Sequence, residues 1–165
     1  MASIKEIINR NILLSKTKFF YLNNYKDKSV KILDIGVQNN SIKQAKTFFV
    51  KSKYYGLDIE KFFSDRDMSL MEDFFQVDLE AGSLEFLDDD FDIVIINHVL
   101  EHVEDDHKCM TELHRIMNSG GWGIFQVPID TSRAETYEDA SITSPEEREK
   151  HFWQYDHVRL YGLDY

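Results

Sequence analysis

Three short apolar runs in this chain each stop at a carboxylate: KILDIG at Lys31 to Gly36, YYGLDIE at Tyr54 to Glu60 and FFQVDLE at Phe74 to Glu80. A fourth run, FDIVIINHVLEHV, spans Phe91 to Val103. Runs of this length, rich in β-branched and aromatic residues, read as buried strands. In an open parallel α/β sheet, ligands bind outside the carboxyl ends of the strands, so acids placed there face a ligand and not the core. Asp34, Asp58 and Asp78 therefore point to one elongated polar ligand.

The segments between the runs supply the helices that a parallel sheet needs. Ile4, Ile7, Ile8 and Ile12 recur at helical spacing, so residues 1–24 read as an amphipathic helical segment. Strands are expected at Val30–Ile35, Lys53–Leu57, Phe74–Val77, Ile93–Ile96 and Trp122–Val127, with a helix over Ser41–Lys51 and no clear period in Lys61–Glu72. A helix over Asp105–Met117 has Met110, Leu113 and Met117 on one face. Glu104, Asp105 and Asp106 put negative charge at its start, where the helix dipole favours it. Asn118 to Gly121 then end it. Ser144-Pro145-Glu146-Glu147 is a capping box with proline at the first helical position. Alternating strands and helices define an α/β fold with a doubly wound, mostly parallel sheet. The chain reads as one domain, 1–165, in which residues 129–165 form the substrate side.

Charge narrows the partners. With 19 basic and 30 acidic residues the net charge is -11, which repels nucleic-acid backbones and anionic lipid and favours a small-molecule substrate or a protein partner. The single Cys109 excludes an internal disulfide. No apolar run approaches the roughly 20 residues that cross a bilayer, and a cytoplasmic location is the expectation.

The order and content of the strand ends resemble the class I S-adenosylmethionine-dependent methyltransferases, in particular the small-molecule group with a VLEH segment after the fourth strand, here Val99 to His102. The resemblance implies a Rossmann-like methyltransferase fold and S-adenosylmethionine as cofactor. It places Asp34, Ile35 and Gly36 near the methionine part, Asp58 on both ribose hydroxyls and Ile59 against adenine. Asp78 would accept from the adenine amino group with Leu79 beside it, and Asn97 and His98 would lie beneath the reactive sulfonium. The residues agree on one point independently: Asp58 lies 22 positions beyond Gly36, the spacing of a ribose-binding βαβ unit. One departure stands out. The family's Asp-x-Gly-x-Gly-x-Gly turn reads Asp34-Ile35-Gly36-Val37-Gln38-Asn39-Asn40 here, so Gln38 takes a position where glycine permits close approach to the ligand.

The expected chemistry is methyl transfer to an oxygen or nitrogen of a small molecule, with His98 and His157 as candidate bases. The segment His151 to Gly162 concentrates aromatic, basic and imidazole groups and is the expected acceptor side, the alternative being a packed segment in which Asp156 pairs with Arg159. Other readings remain. The altered turn fits a non-catalytic cofactor-binding relative. His98-Val99-Leu100-Glu101-His102 matches the H-x-x-E-H zinc-hydrolase pattern, but that pattern needs a helix and His98 follows a β-branched run. In a third, Glu101 and His102 merely hold the loop after the fourth strand. The methyltransferase reading assigns no metal. A nicotinamide-dependent reductase would want Gly-x-Gly-x-x-Gly, of which Gly36 alone is present.

Family members continue past the fifth strand with a helix and two further strands, whereas 37 residues follow Pro128 here. The sheet is accordingly expected to lack its last two strands. Three outcomes follow for the fifth strand's edge: Tyr165 truncates a longer protein, the chain pairs as a homodimer, or the segment after Ser144 covers it.

Overall fold

Strands β1 (Lys31–Ile35), β2 (Lys53–Asp58), β3 (Asp73–Gln76), β4 (Phe91–Asn97) and β5 (Met117–Gln126) form one sheet in the order β3-β2-β1-β4-β5, with every pairing parallel. The computed structural model describes residues 25, 27–37, 42–43, 45–46, 49–61, 64–81 and 83–165. The expected helix over residues 1–24 and Gln38 lie outside the described residues.

Why these runs form central strands follows from their composition. A parallel strand covered on both faces needs apolar side chains at successive positions, and β1 is buried at four of its five residues. Alternate side chains serve opposite faces. Leu33 and Ile35 enter one cluster with Val94, Ile96, Leu113 and Ile116, while Ile32 joins Ile42, Tyr54 and Ile93 in the other. The chain walks outward from β1 to β3, then crosses back to β4 on the other side of β1. That reversal opens a crevice at the carboxyl ends of β1 and β4.

A single turn, α1 (Asp65–Met68), occupies the stretch that carries no period. Helix α2 (Asp106–Ile116) is capped by Asp105, whose carboxylate accepts from the Lys108 amide at 2.9 Å. Its buried face is Cys109, Leu113 and Ile116, a correction to the expected Met110, Leu113 and Met117. Met110 is exposed, and Met117 already pairs with Phe91 in the sheet. Asn118 to Gly121 do not cap the helix. They loop out of β5 between the Phe91–Met117 pair and the regular ladder that starts at Ile93–Trp122, with Gly120 taking φ +82°.

Beyond β5 come β6 (Tyr137–Glu138), α3 (Pro145–Phe152) and β7 (Arg159–Leu160), with β6 and β7 antiparallel. Ser144 caps α3 by accepting from the Glu147 amide, as its capping box requires. At the β5 edge the segment after Ser144 makes contact near the strand's end: Tyr165 Oη donates to the Phe125 carbonyl at 3.4 Å, and Tyr161 bridges Ile129. Among the described residues, no strand pairs along that edge and no helix is long and apolar enough to cross a membrane.

Candidate functional site

A cavity of about 200 Å³ opens where the first three strands end. Its walls are Ile35 and Gly36 after β1, Leu57, Asp58 and Ile59 at the end of β2, Val77 to Glu80 after β3, and Val99, His102 and Val103 after β4. Six residues that the resemblance places near the cofactor therefore meet in one place: Ile35, Gly36, Asp58, Ile59, Asp78 and Leu79.

Gly36 shapes the floor. Its φ of +72° is a left-handed conformation, and a Cβ there would stand 2.5 Å from Val99 Cγ2. Hydrogen bonds fix the strand ends around it: the Gly36 amide donates to the Leu57 carbonyl at 2.9 Å and the Val77 amide to the Asp58 carbonyl at 3.0 Å. Asp58 is half-buried. Partial desolvation raises its carboxyl above the ordinary aspartate range, against the opposing pull of the Glu60 and Ile59 amides. Beside it Ile59 is 59% exposed, an aliphatic face left for a ligand to cover. Asp78 is exposed and accepts from the Glu80 amide at 2.9 Å, which holds its loop. Glu80 in turn accepts from the Glu104 amide at 2.5 Å, joining the β3 and β4 sides of the cavity.

Other expected site residues stand apart from the cavity walls. Asp34 is buried and accepts a hydrogen bond from the Tyr54 hydroxyl. Asn97 and His98 end β4 but do not line the cavity; their neighbour Val99 does. His98 has φ +56°, its amide donates to the Gln126 carbonyl at 2.7 Å, and its Nδ1 lies 3.2 Å from Glu101 Oε1. Asn97 Oδ1, His98 Nε2 and Glu101 Oε2 are buried and have no hydrogen-bond partner among the described residues. Leu100–His102 is a single 3-10 turn, so the helix that H-x-x-E-H needs is absent from this position.

His157 also lies off the cavity. It is buried, its Nδ1 is 2.9 Å from the Phe152 carbonyl, and its ring meets that of His102 edge-on at 4.7 Å. Burial lowers its pKa, favouring the neutral ring. The segment around it is built as a clamp. Arg159 Nη1 donates to the carbonyls of Leu100 at 3.2 Å and Val103 at 2.6 Å, and Nη2 to that of Glu104 at 2.9 Å. Val158 donates its amide to the Glu101 carbonyl at 2.9 Å, and Tyr161 Oη donates to Asp106 at 2.7 Å. Asp156 and Arg159 do not pair with each other: Asp156 lies 3.4 Å from His102, and Arg159 pairs with Glu138 and Asp106. Sequence reasoning missed Val99, Glu80 and Val103 as cavity walls, and for the last two only the proximity of strand ends gave any signal.

Residues 33–125, more than half of the 165, match the family model described as a methyltransferase domain, and the chain belongs to that family. The YcgJ protein from Bacillus subtilis shares its fold at 19% identity and TM-score 0.61, over 91% of this chain and 64% of that one. A S-adenosylmethionine-dependent methyltransferase from Archaeoglobus fulgidus matches at 17% identity and TM-score 0.53, over 74% of this chain and 54% of that one. The chain thus spans between half and two thirds of the length of these structures. No curated protein matches it in sequence.

Proposed function

We propose that this protein binds S-adenosylmethionine in the cavity after β1, β2 and β3 and transfers its methyl group to an oxygen or nitrogen of a small molecule. The observation that supports this best is the convergence of Gly36, Asp58, Ile59 and Asp78 on one cavity in a chain of the methyltransferase domain family. The residues fit the cofactor. Asp58 offers a half-buried carboxylate to the ribose hydroxyls, Ile59 an uncovered aliphatic face to adenine, and Asp78 an exposed acceptor to its amino group. Gly36 lets the β1 turn pack against Val99 on the cavity wall, where a Cβ would collide with Val99 Cγ2 at 2.5 Å. At about 200 Å³ the described walls are smaller than the roughly 300 to 1,000 Å³ of drug-sized ligand sites, so they hold the adenosine end and not the whole molecule.

When bound, the cofactor supplies an electrophilic methyl group on sulfur. The protein's part is alignment and removal of a proton from the acceptor. If Nδ1 carries the proton toward Glu101 Oε1, 3.2 Å away, His98 Nε2 is left as an acceptor with no partner among the described residues, the arrangement of an oriented base. The net charge of -11 favours a neutral or cationic acceptor over a nucleic acid.

Calorimetric titration with S-adenosylhomocysteine tests the reading. Two charge-assisted hydrogen bonds from the ribose are worth roughly 1.5 to 3 kcal/mol each, so Asp58→Ala weakens binding at least tenfold with the fold retained. Unchanged affinity in a folded variant overturns the assignment.

A further inference from the structure

Glu101, His102 and His157 bring one ligand atom each to within 4.8 Å of one another. Two come from the 3-10 turn after β4, the third from the C-terminal segment. We propose that these three side chains bind a single divalent transition-metal ion of the zinc type and so fasten the C-terminal segment to the wall of the cavity. This departs from the H-x-x-E-H reading of the sequence, because His157 takes the place of His98.

Four features carry the assignment. Two imidazoles and one carboxylate are the donor set of many three-ligand zinc centres, in which a fourth position stays open. Tetrahedral bonds of about 2.1 Å put ligand atoms about 3.4 Å apart, so side chains whose ligand atoms lie within 4.8 Å must close by up to about 1.4 Å around the ion. Glu101 is 1% exposed, yet its Oε2 has no hydrogen-bond partner among the described residues. A buried carboxylate oxygen left unpaired is costly unless something cationic meets it.

The outer contacts complete the pattern. A metal-bound histidine commonly gives its other ring nitrogen to a carboxylate or a backbone carbonyl, which fixes the ring and its tautomer. His157 Nδ1 lies 2.9 Å from the Phe152 carbonyl, and His102 Nδ1 lies 3.4 Å from Asp156 Oδ2. In both rings this leaves Nε2 for the ion. His102 also lines the cavity, so an ion held by these side chains would lie beside it.

The site stands on this geometry alone and does not depend on which cofactor the cavity takes. The test is calorimetric titration of the full-length, untagged, chelator-stripped protein with zinc chloride, with cobalt(II) as a spectroscopic probe. One ion per chain, a melting temperature that rises with zinc concentration, and cobalt d–d absorption displaced by zinc are expected. Glu101→Gln, which keeps the side chain's shape, and His102→Gln, at a half-exposed position, each weaken binding at least tenfold. His114→Gln, exposed and remote from the cluster, leaves it unchanged. Absence of saturable one-to-one binding, or binding that survives both Glu101→Gln and His102→Gln in folded protein, overturns the proposal. Loss of binding in His114→Gln would place the ion at the surface and overturn it equally.

Discussion

Replacing Gly36 by alanine tests the geometry of the cavity floor without touching a charged group. Two costs add. An L-residue at φ +72° pays about 1 to 2 kcal/mol for the left-handed conformation. The new Cβ, 2.5 Å from Val99 Cγ2, falls about 1 Å short of ordinary carbon contact, and overpacking of that kind costs about 1 to 3 kcal/mol. Reduced freedom of the unfolded chain returns about 0.4 to 1 kcal/mol. The net loss is roughly 1.5 to 4 kcal/mol, read from the urea midpoint at an unchanged slope. The same Cβ pushes on a wall of the cavity, so S-adenosylhomocysteine binds more weakly. Val99→Ala separates the two costs: in that background Gly36→Ala retains the conformational penalty and sheds the steric one, giving a coupling of about 1 to 3 kcal/mol in the double-mutant cycle. Additivity within about 0.5 kcal/mol would refute the steric argument, and a Gly36→Ala variant as stable as the parent would refute both.

Two further expectations concern stability. Arg159→Met removes a buried guanidinium from the carbonyls of Leu100, Val103 and Glu104 and leaves Asp106 without its cation, so it costs about 3 to 5 kcal/mol in urea; Arg159→Lys recovers less than half, because an ammonium lacks the planar fork that reaches all three, and full recovery would show that charge alone matters. The Arg115 guanidinium, with the Leu84 amide and the Ser83 hydroxyl, holds the Glu112 carboxyl down to about 2. Since the folded-state pKa lies below the unfolded one, that stabilisation is complete above about pH 4.5 and disappears as pH falls toward 2. Screening by solvent limits it to about 1 to 2 kcal/mol, so Glu112→Gln and the parent differ by that amount at pH 7 and converge near pH 2; a constant gap across the range would contradict the ion pair.

The parallel sheet was legible because its signals are local. Strands such as β1 and β4 need covering on both faces, so their runs are continuously apolar, and the acids that stop them stand out against that background. The cap at Ser144 was equally readable, since it acts on an amide three residues away, whereas Asp105, read as dipole charge inside the start of α2, is its cap. The face of α2 was misread by one position because the pattern Met110, Leu113, Met117 is as regular as Cys109, Leu113, Ile116. What decided between them was the start of β5 at Met117, a tertiary fact.

The C-terminal segment was the harder case, and the reason is physical. Its aromatic, basic and imidazole groups have the composition of an acceptor pocket, but Arg159 spends its donors on backbone carbonyls 55 to 59 residues earlier in the chain. Backbone acceptors leave no mark in a sequence, since every residue has one. The carbonyls of Leu100, Val103 and Glu104 are available because a 3-10 turn three residues long cannot satisfy its own ends. The turn is short because the chain is already extended at Val103, with φ −85° and ψ 124°. One face of the resulting turn presents Val99 and His102 to the cavity, while its carbonyls receive Arg159 and Val158. Substitutions in the C-terminal segment therefore reach the cavity through this turn, even where the substituted side chain lies outside its walls.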